Sequence, residues 1–261
     1  MLLISPLLTH AMYIEVFAGE DRVGSGTGFI VEGPSGRMLV SNRHVVVGRE
    51  PETNAYKDPQ GRQPTRIRVS SINELVQTVS VDLNLFDDDR NELWVEHPTY
   101  AHRLDLVGLP WPHGLFTSTA TGRMYASGAP VQIRVPAPVI VLGYPLRFHG
   151  GVEGLPVAVS GILASTPGLP INGDLPRFLI DSRTRSGLSG APVIFYSEGA
   201  PLINEQGTLS IGSQTQPYEL LGIYSGRIRD DADIGYVITT AAISEMIHHP
   251  AQGVLLVRES D

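Results

Sequence analysis

The sequence predicts an all-β protein, and three observations carry that reading. Short apolar or alternating runs recur along the 261 residues, at 12–17, 28–31, 38–40, 67–69, 78–85, 131–135, 139–142, 157–159, 178–180, 193–196, 220–225 and 235–238. Runs of this length match strands better than helices. The 28 Gly and 20 Pro, together with Asn and Asp, fall between most of them and supply turns. Only two segments have a helical pattern: a short turn around His44, and 239–249, where Ala242, Ile243, Met246 and Ile247 share one face and Thr239 or Thr240 can cap the start.

Taken in order, residues 1–10 are apolar but lack a positively charged start and are interrupted by Pro6, so they read as the first packed segment rather than a signal. The glycine-rich stretch Gly24-Ser25-Gly26-Thr27-Gly28 runs straight into Phe29-Ile30-Val31. A dinucleotide site would need a helix there, and a strand follows instead. The run at 38–40 leads to the His44 turn, and the polar stretch 50–66 reads as a surface loop. Residues 112–130 lose strong periodicity and read as a crossover between two lobes, and 197–218 as a second surface loop. No apolar run is long enough to span a membrane.

Composition narrows the function. The net charge of −8 disfavours nucleic acid, which needs a concentrated positive field. Lys57 is the only lysine, so the basic charge is almost all arginine. With no cysteine, neither a disulfide nor a thiolate metal site can hold the fold, and a reducing, cytoplasmic compartment suits the chain. His97 with His102, and His248 with His249, lack a clear third ligand, so no metal is expected. The latter pair sits at a helix end, where positive charge favours the dipole.

Three segments carry chemistry. Ser189 lies in Gly187-Leu188-Ser189-Gly190-Ala191-Pro192, a turn that can expose a hydroxyl. His44 follows the strand Leu39-Val40-Ser41, and Asp105 leads Leu106-Val107-Gly108. A serine hydroxyl is a weak nucleophile, so a neutral imidazole must take its proton during attack and return one to the leaving group. His44 suits that role, and the Asp105 carboxylate would fix its tautomer and stabilise the imidazolium. Asp82, in Val81-Asp82-Leu83, is the rival carboxylate. Backbone N–H groups of Gly187 and Ser189 would hold the oxyanion. The α/β-hydrolase elbow is excluded, because Ala191 breaks its G-x-S-x-G pattern and the order here is His, Asp, Ser.

At these residues the chain resembles the chymotrypsin-fold, trypsin-like serine peptidases, most of all the disulfide-free bacterial domains of the high-temperature-requirement group. Gly24–Ile30, Gly143-Tyr144-Pro145 and Gly222-Ile223-Tyr224-Ser225-Gly226 look like that family's glycine-rich strand, G-Y-P turn and substrate-binding strand. The resemblance covers about residues 12–250. It implies two six-stranded Greek-key β-barrels, within about 1–125 and 126–261, and a C-terminal helix. It further implies an endopeptidase acting through His44, Asp105 and Ser189 with no cofactor, on a peptide laid along Tyr224, Ser225 and Gly226.

Two departures alter that picture. Leu188 stands where digestive members carry the Asp that answers zymogen cleavage, so no such switch is expected. Arg183 occupies the position that usually lines the specificity pocket. Pointing inward it would favour an acidic substrate side chain; pointing outward, it or Arg185 would meet solvent or Asp181, Asp230 or Asp231, and Arg227 is equally open. Expected partners are a peptide or protein substrate and, in the manner of bacterial domains of this size, an activating protein acting on loops 50–66 or 197–218. The competing class is a binding module on the same fold that captures a peptide without cutting it.

Overall fold

The computed structural model describes residues 5–73, 75–112, 133, 135–169, 171, 173–196, 202–203, 209–210, 218–229 and 231–250. Its first half carries β1 (Met12–Ala18), β2 (Asp21–Gly33), β3 (Gly36–Ser41), the one-turn helix α1 (Arg43–Val46), β4 (Arg66–Ile72), β5 (Thr78–Asn84), β6 (Val95–Glu96) and β7 (Val107–Pro110). The second half carries β8 (Pro138–Gly143), β9 (Val157–Leu163), β10 (Arg177–Ser182), β11 (Pro192–Tyr196), the two-residue strands β12 (Leu202–Ile203) and β13 (Leu209–Ser210), β14 (Tyr218–Arg227), β15 (Ile234–Thr239) and the helix α2 (Thr240–His248). Most residues of the expected 112–130 crossover and of the 197–218 loop lie outside the described residues. Among the described residues, no helix is long and apolar enough to cross a membrane.

The second half closes as expected, into a six-stranded barrel of order β10-β15-β14-β11-β8-β9. The first half departs from expectation. It forms a seven-stranded antiparallel sheet of order β5-β4-β1-β2-β3-β7-β6 whose ladder stays open. Between the two edge strands, residues 85–94 form a hydrogen-bonded turn. Asp87 accepts from the Asn91 backbone and side-chain nitrogens, and Leu93 N–H donates to the Leu85 carbonyl. The sheet nevertheless wraps one interior, since Ile14, Ile67, Leu83, Leu85, Trp94 and Leu109 from both of its flanks share a buried cluster.

Two further cores complete the molecule. Val141, Phe178, Ile180, Val193 and Val237 fill the barrel. Phe29 and Val40 of the first sheet meet Leu142, Ile194 and Ile238 of the second in a third cluster, sealed by Ala242, Ile243, Met246 and Ile247 of α2. The spacing of those four residues puts them on one helical stripe, as the sequence indicates. Thr239 caps the helix by accepting from Ala242 N–H.

Tyr144 pins the halves together from the end of β8. Its fully buried hydroxyl lies 2.8 Å from the Gly154 carbonyl and 3.1 Å from that of Ala11, just before β1. Burial, with a smaller push from the neighbouring Tyr13, raises its ionisation well above the usual tyrosine range. Replacing Tyr144 with Phe leaves those carbonyls unmatched. It should cost about 1–2 kcal/mol of stability in a denaturant titration.

Candidate active site

Asp105 follows a short 3-10 turn at Ala101–Arg103 and precedes β7, which pairs with β3; α1 begins just after β3. This route brings Asp105 to His44. The His44 backbone N–H donates to Asp105 Oδ1 at 2.9 Å, and His44 Nδ1 lies 2.6 Å from Asp105 Oδ2. Ser225 Oγ of β14 donates to the same Oδ2 at 2.9 Å, so one carboxylate is shared by both sheets. Asn42 Nδ2 holds the Asp105 carbonyl at 2.8 Å. Burial pushes the Asp105 carboxyl up, but the His44 charge and the hydrogen bonds from His44 and Ser225 outweigh it and hold it below the ordinary Asp value. A carboxylate that accepts from Nδ1–H leaves the Nε2 lone pair available as a base.

The rival Asp82 has a different occupation. On β5 it bridges Arg66 and Arg68 of β4, each at 2.7 Å, on an exposed face.

Ser189 follows a turn closed by Leu188 N–H to the Arg185 carbonyl at 3.2 Å, with Gly187 at φ 96° in its third position. Positive φ there defines a type II turn. The Ser186 carbonyl accepts from Leu146 N–H at 2.6 Å. In a trans peptide the C=O and the following N–H point to opposite sides, so the Gly187 N–H is turned away from Leu146. A side chain at Gly187 would run into the Tyr144 carbonyl oxygen. Among the described residues, neither the Gly187 nor the Ser189 N–H is used in a hydrogen bond. His44, Gly187 and Ser189 line one cavity of about 550 Å³. No hydrogen bond joins His44 to the Ser189 hydroxyl among the described residues.

The remaining sequence candidates fall in other surroundings. The Tyr224 ring is buried in the barrel core, and its hydroxyl bonds Thr184 Oγ1 at 2.5 Å. Ser225 serves Asp105, and Gly226 is half-buried beside it. Arg183 is exposed and lines no part of the cavity that holds Ser189. Arg185 pairs with Asp233 at 3.4 Å, and Arg229 with Asp231. Leu188 is fully buried in the barrel core. His97 is buried, with its Nδ1 accepting from the Thr99 and Tyr100 amides. No cluster of three His, Cys, Asp or Glu able to hold a metal occurs among the described residues.

Sequence reasoning passed over Asn42, the Leu146 amide and Thr27. Thr27 N–H donates to the Ser189 carbonyl and Thr27 Oγ1 to the Gly187 carbonyl, both at 2.8 Å. The G-S-G-T-G run marked the strand but gave no sign of that contact.

Two outcomes follow. Thr27→Val keeps the shape and removes the hydroxyl, which should cost about 1–3 kcal/mol by denaturant titration. For Asp105, a folded value below the unfolded one means its stabilisation is full above about pH 4 and fades as pH falls through the folded value. The stability gap between the wild type and Asp105→Asn should therefore narrow on acidification below about pH 4. Thermal melts of both proteins across that range read it.

No family model and no curated protein matches this chain. Solved structures do. The chain is similar to the Rv3671c protease of M. tuberculosis in its active form, at 21% identity over 95% of this chain and 85% of that one, with a TM-score of 0.49. The inactive form of that protease matches at 20% identity over 90% and 86%, with a TM-score of 0.46. The HtrA-type protease AlgW, solved with a tripeptide, matches at 14% identity and a TM-score of 0.51 over 94% of this chain and 64% of that longer one. At such identities the likeness is one of fold alone, shared with the HtrA-type protease.

Proposed function

We propose that the protein is a serine endopeptidase in which Ser189 is the nucleophile, His44 the general base and acid, and Asp105 the group that orients His44 and stabilises the imidazolium formed during the reaction. The observation that carries this is the His44–Asp105 contact. The carboxylate takes both the ring Nδ1 and the backbone N–H of the same histidine. That geometry fixes one tautomer and aims the ring.

The chemistry then runs on this chain's own groups. His44 Nε2 takes the Ser189 proton as Oγ attacks the peptide carbonyl, and the oxyanion forms within reach of the Gly187 and Ser189 N–H groups. His44 passes its proton to the departing amine, leaving an acyl group on Ser189. Water, deprotonated by His44, releases the acid and restores the hydroxyl. No step calls for a cofactor.

The unmade bond between His44 and Ser189 favours one second reading, a module that binds peptides without cutting them. Apo sites often have long contacts that tighten with substrate, so the distance does not decide between the two. A fluorophosphonate does. Modification of Ser189, with loss of labelling in Ser189→Ala, is the expected result; folded wild-type protein that resists the reagent would overturn the peptidase. With a cleaved peptide in hand, Ser189→Ala should lower kcat by about four to six orders of magnitude while the melting temperature holds.

A further inference from the structure

The cavity beside Ser189 differs in charge from the rest of the molecule. The chain has 27 acidic against 19 basic residues, yet Lys57, Arg62 and Arg147 line this cavity and, among the described residues, Asp58 is its one carboxylate. Asp58 is already spent. Its carboxylate takes Arg62 Nη2 at 2.7 Å together with Arg62 Nε and the Gln60 amide, and hydrogen bonding to Arg62 holds it below the ordinary Asp value. Arg62 in turn reaches Asp21 at 3.1 Å. Asp58 and Asp21 together outweigh Arg62 by one charge, so this group adds no positive charge to the cavity.

Two cations are left over. Lys57 stands 3.4 Å from Glu50 with both side chains about half exposed, a weakly coupled pair. Arg147 makes no ion pair among the described residues and is exposed. Its backbone is unusual, since Leu146 at φ 52° and Arg147 at φ 66° both adopt the left-handed region. That region disfavours any residue with a side chain. Holding two non-glycine residues there costs energy that the surrounding structure must offset. The turn ties back to the nucleophile loop through Leu146 N–H and the Ser186 carbonyl.

The position of the cavity says which part of a substrate would meet these cations. The departing amine receives its proton from His44, so it leaves on the imidazole side. The cavity is lined there by His44, Val45 and Gly48 and by no residue of β14. Resting on the peptidase reading, we infer that Arg147 and Lys57 form a subsite for an acidic residue among the first two after the cleaved bond. A carboxylate that reaches either of them gains a charge-assisted hydrogen bond that an amide of the same shape lacks. The subsite is separate from Arg183, which lies outside the cavity.

Acyl transfer isolates this side of the site. A 4-nitrophenyl butyrate ester acylates Ser189 and releases nitrophenolate, after which water and an added dipeptide amide compete for the acyl group. In the capture step the amine attacks the acyl carbon, the ester bond to Oγ breaks, and the amine's proton passes through His44 to Oγ. Dipeptide amides of Ala with Glu, Gln or Lys, in either order, then report leaving-side binding alone. Glu should outcompete Gln about three- to tenfold at low salt, and the preference should fall toward unity in 1 M NaCl.

Arg147→Gln should erase most of that ratio, and Arg147→Glu should turn it in favour of Lys. Because the ratio is taken within each enzyme, the amount of active protein does not enter. Equal capture of Glu and Gln by the wild type, or a Glu preference untouched by both variants, overturns the subsite. Failure to release nitrophenolate from folded protein counts against the peptidase reading instead. The subsite is then read by titrating Ser189→Ala with Ala-Glu-Glu-amide and Ala-Gln-Gln-amide, where equal affinities overturn it.

Discussion

Thr27 has no exposed surface, and it spends both of its donors on the loop that carries Ser189. Its N–H goes to the Ser189 carbonyl and its hydroxyl to the Gly187 carbonyl, each at 2.8 Å. Out of water such bonds cannot be exchanged for solvent, so breaking either strands a buried carbonyl. The Ser189 loop is therefore set by a strand of the opposite sheet. Close approach is its steric condition. A side chain at Gly190 would run into the Thr27 carbonyl, and one at Gly143 would crowd Thr27 Oγ1 and Leu188. The glycines around Ser189 thus serve the seam between the sheets as well as the turn itself.

Asp105 makes the second seam. Its Oδ2 joins His44 of the first sheet's side to Ser225 of the barrel. A carboxylate this deep costs several kcal/mol to desolvate, and the cost is offset only because donors surround it. The same donors keep it charged, so the group that positions His44 also supplies the negative charge an imidazolium would need. Structural attachment and electrostatics converge on one side chain. Any shift of β14 relative to the first sheet would be felt at His44 through Ser225.

The sequence made the local parts of this arrangement legible and the long-range parts invisible. His44, Asp105 and Ser189 sit in short contexts whose residue types are demanded by their own backbone, a strand end or a glycine turn, so their order along the chain could be read directly. The open edge of the first sheet could not. It rests on how strands far apart in sequence pair, with β5 and β6 at opposite edges, which local residue patterns do not encode. Tyr224 illustrates the same limit from the side-chain direction: its place in a substrate-like strand drew attention, yet alternation along β14 turns its ring into the barrel. Attention to Arg183 likewise came from its distance to Ser189 in sequence, whereas Arg147 reaches the cavity from a distant turn.

Leu146 and Arg147 show why that turn matters beyond its charge. The Leu146 amide fixes the Ser186 carbonyl on one side, which leaves the Gly187 N–H on the other and free to serve as the oxyanion donor that the peptidase reading assigns to it. Arg147 is the next residue, held in the same left-handed conformation. A substrate carboxylate engaging Arg147 would therefore pull on the backbone that sets the Gly187 peptide. Binding energy gained from a part of the substrate that does not react would help to order the donors that meet the oxyanion. Such coupling raises turnover rather than affinity alone, since the added order is felt where charge develops.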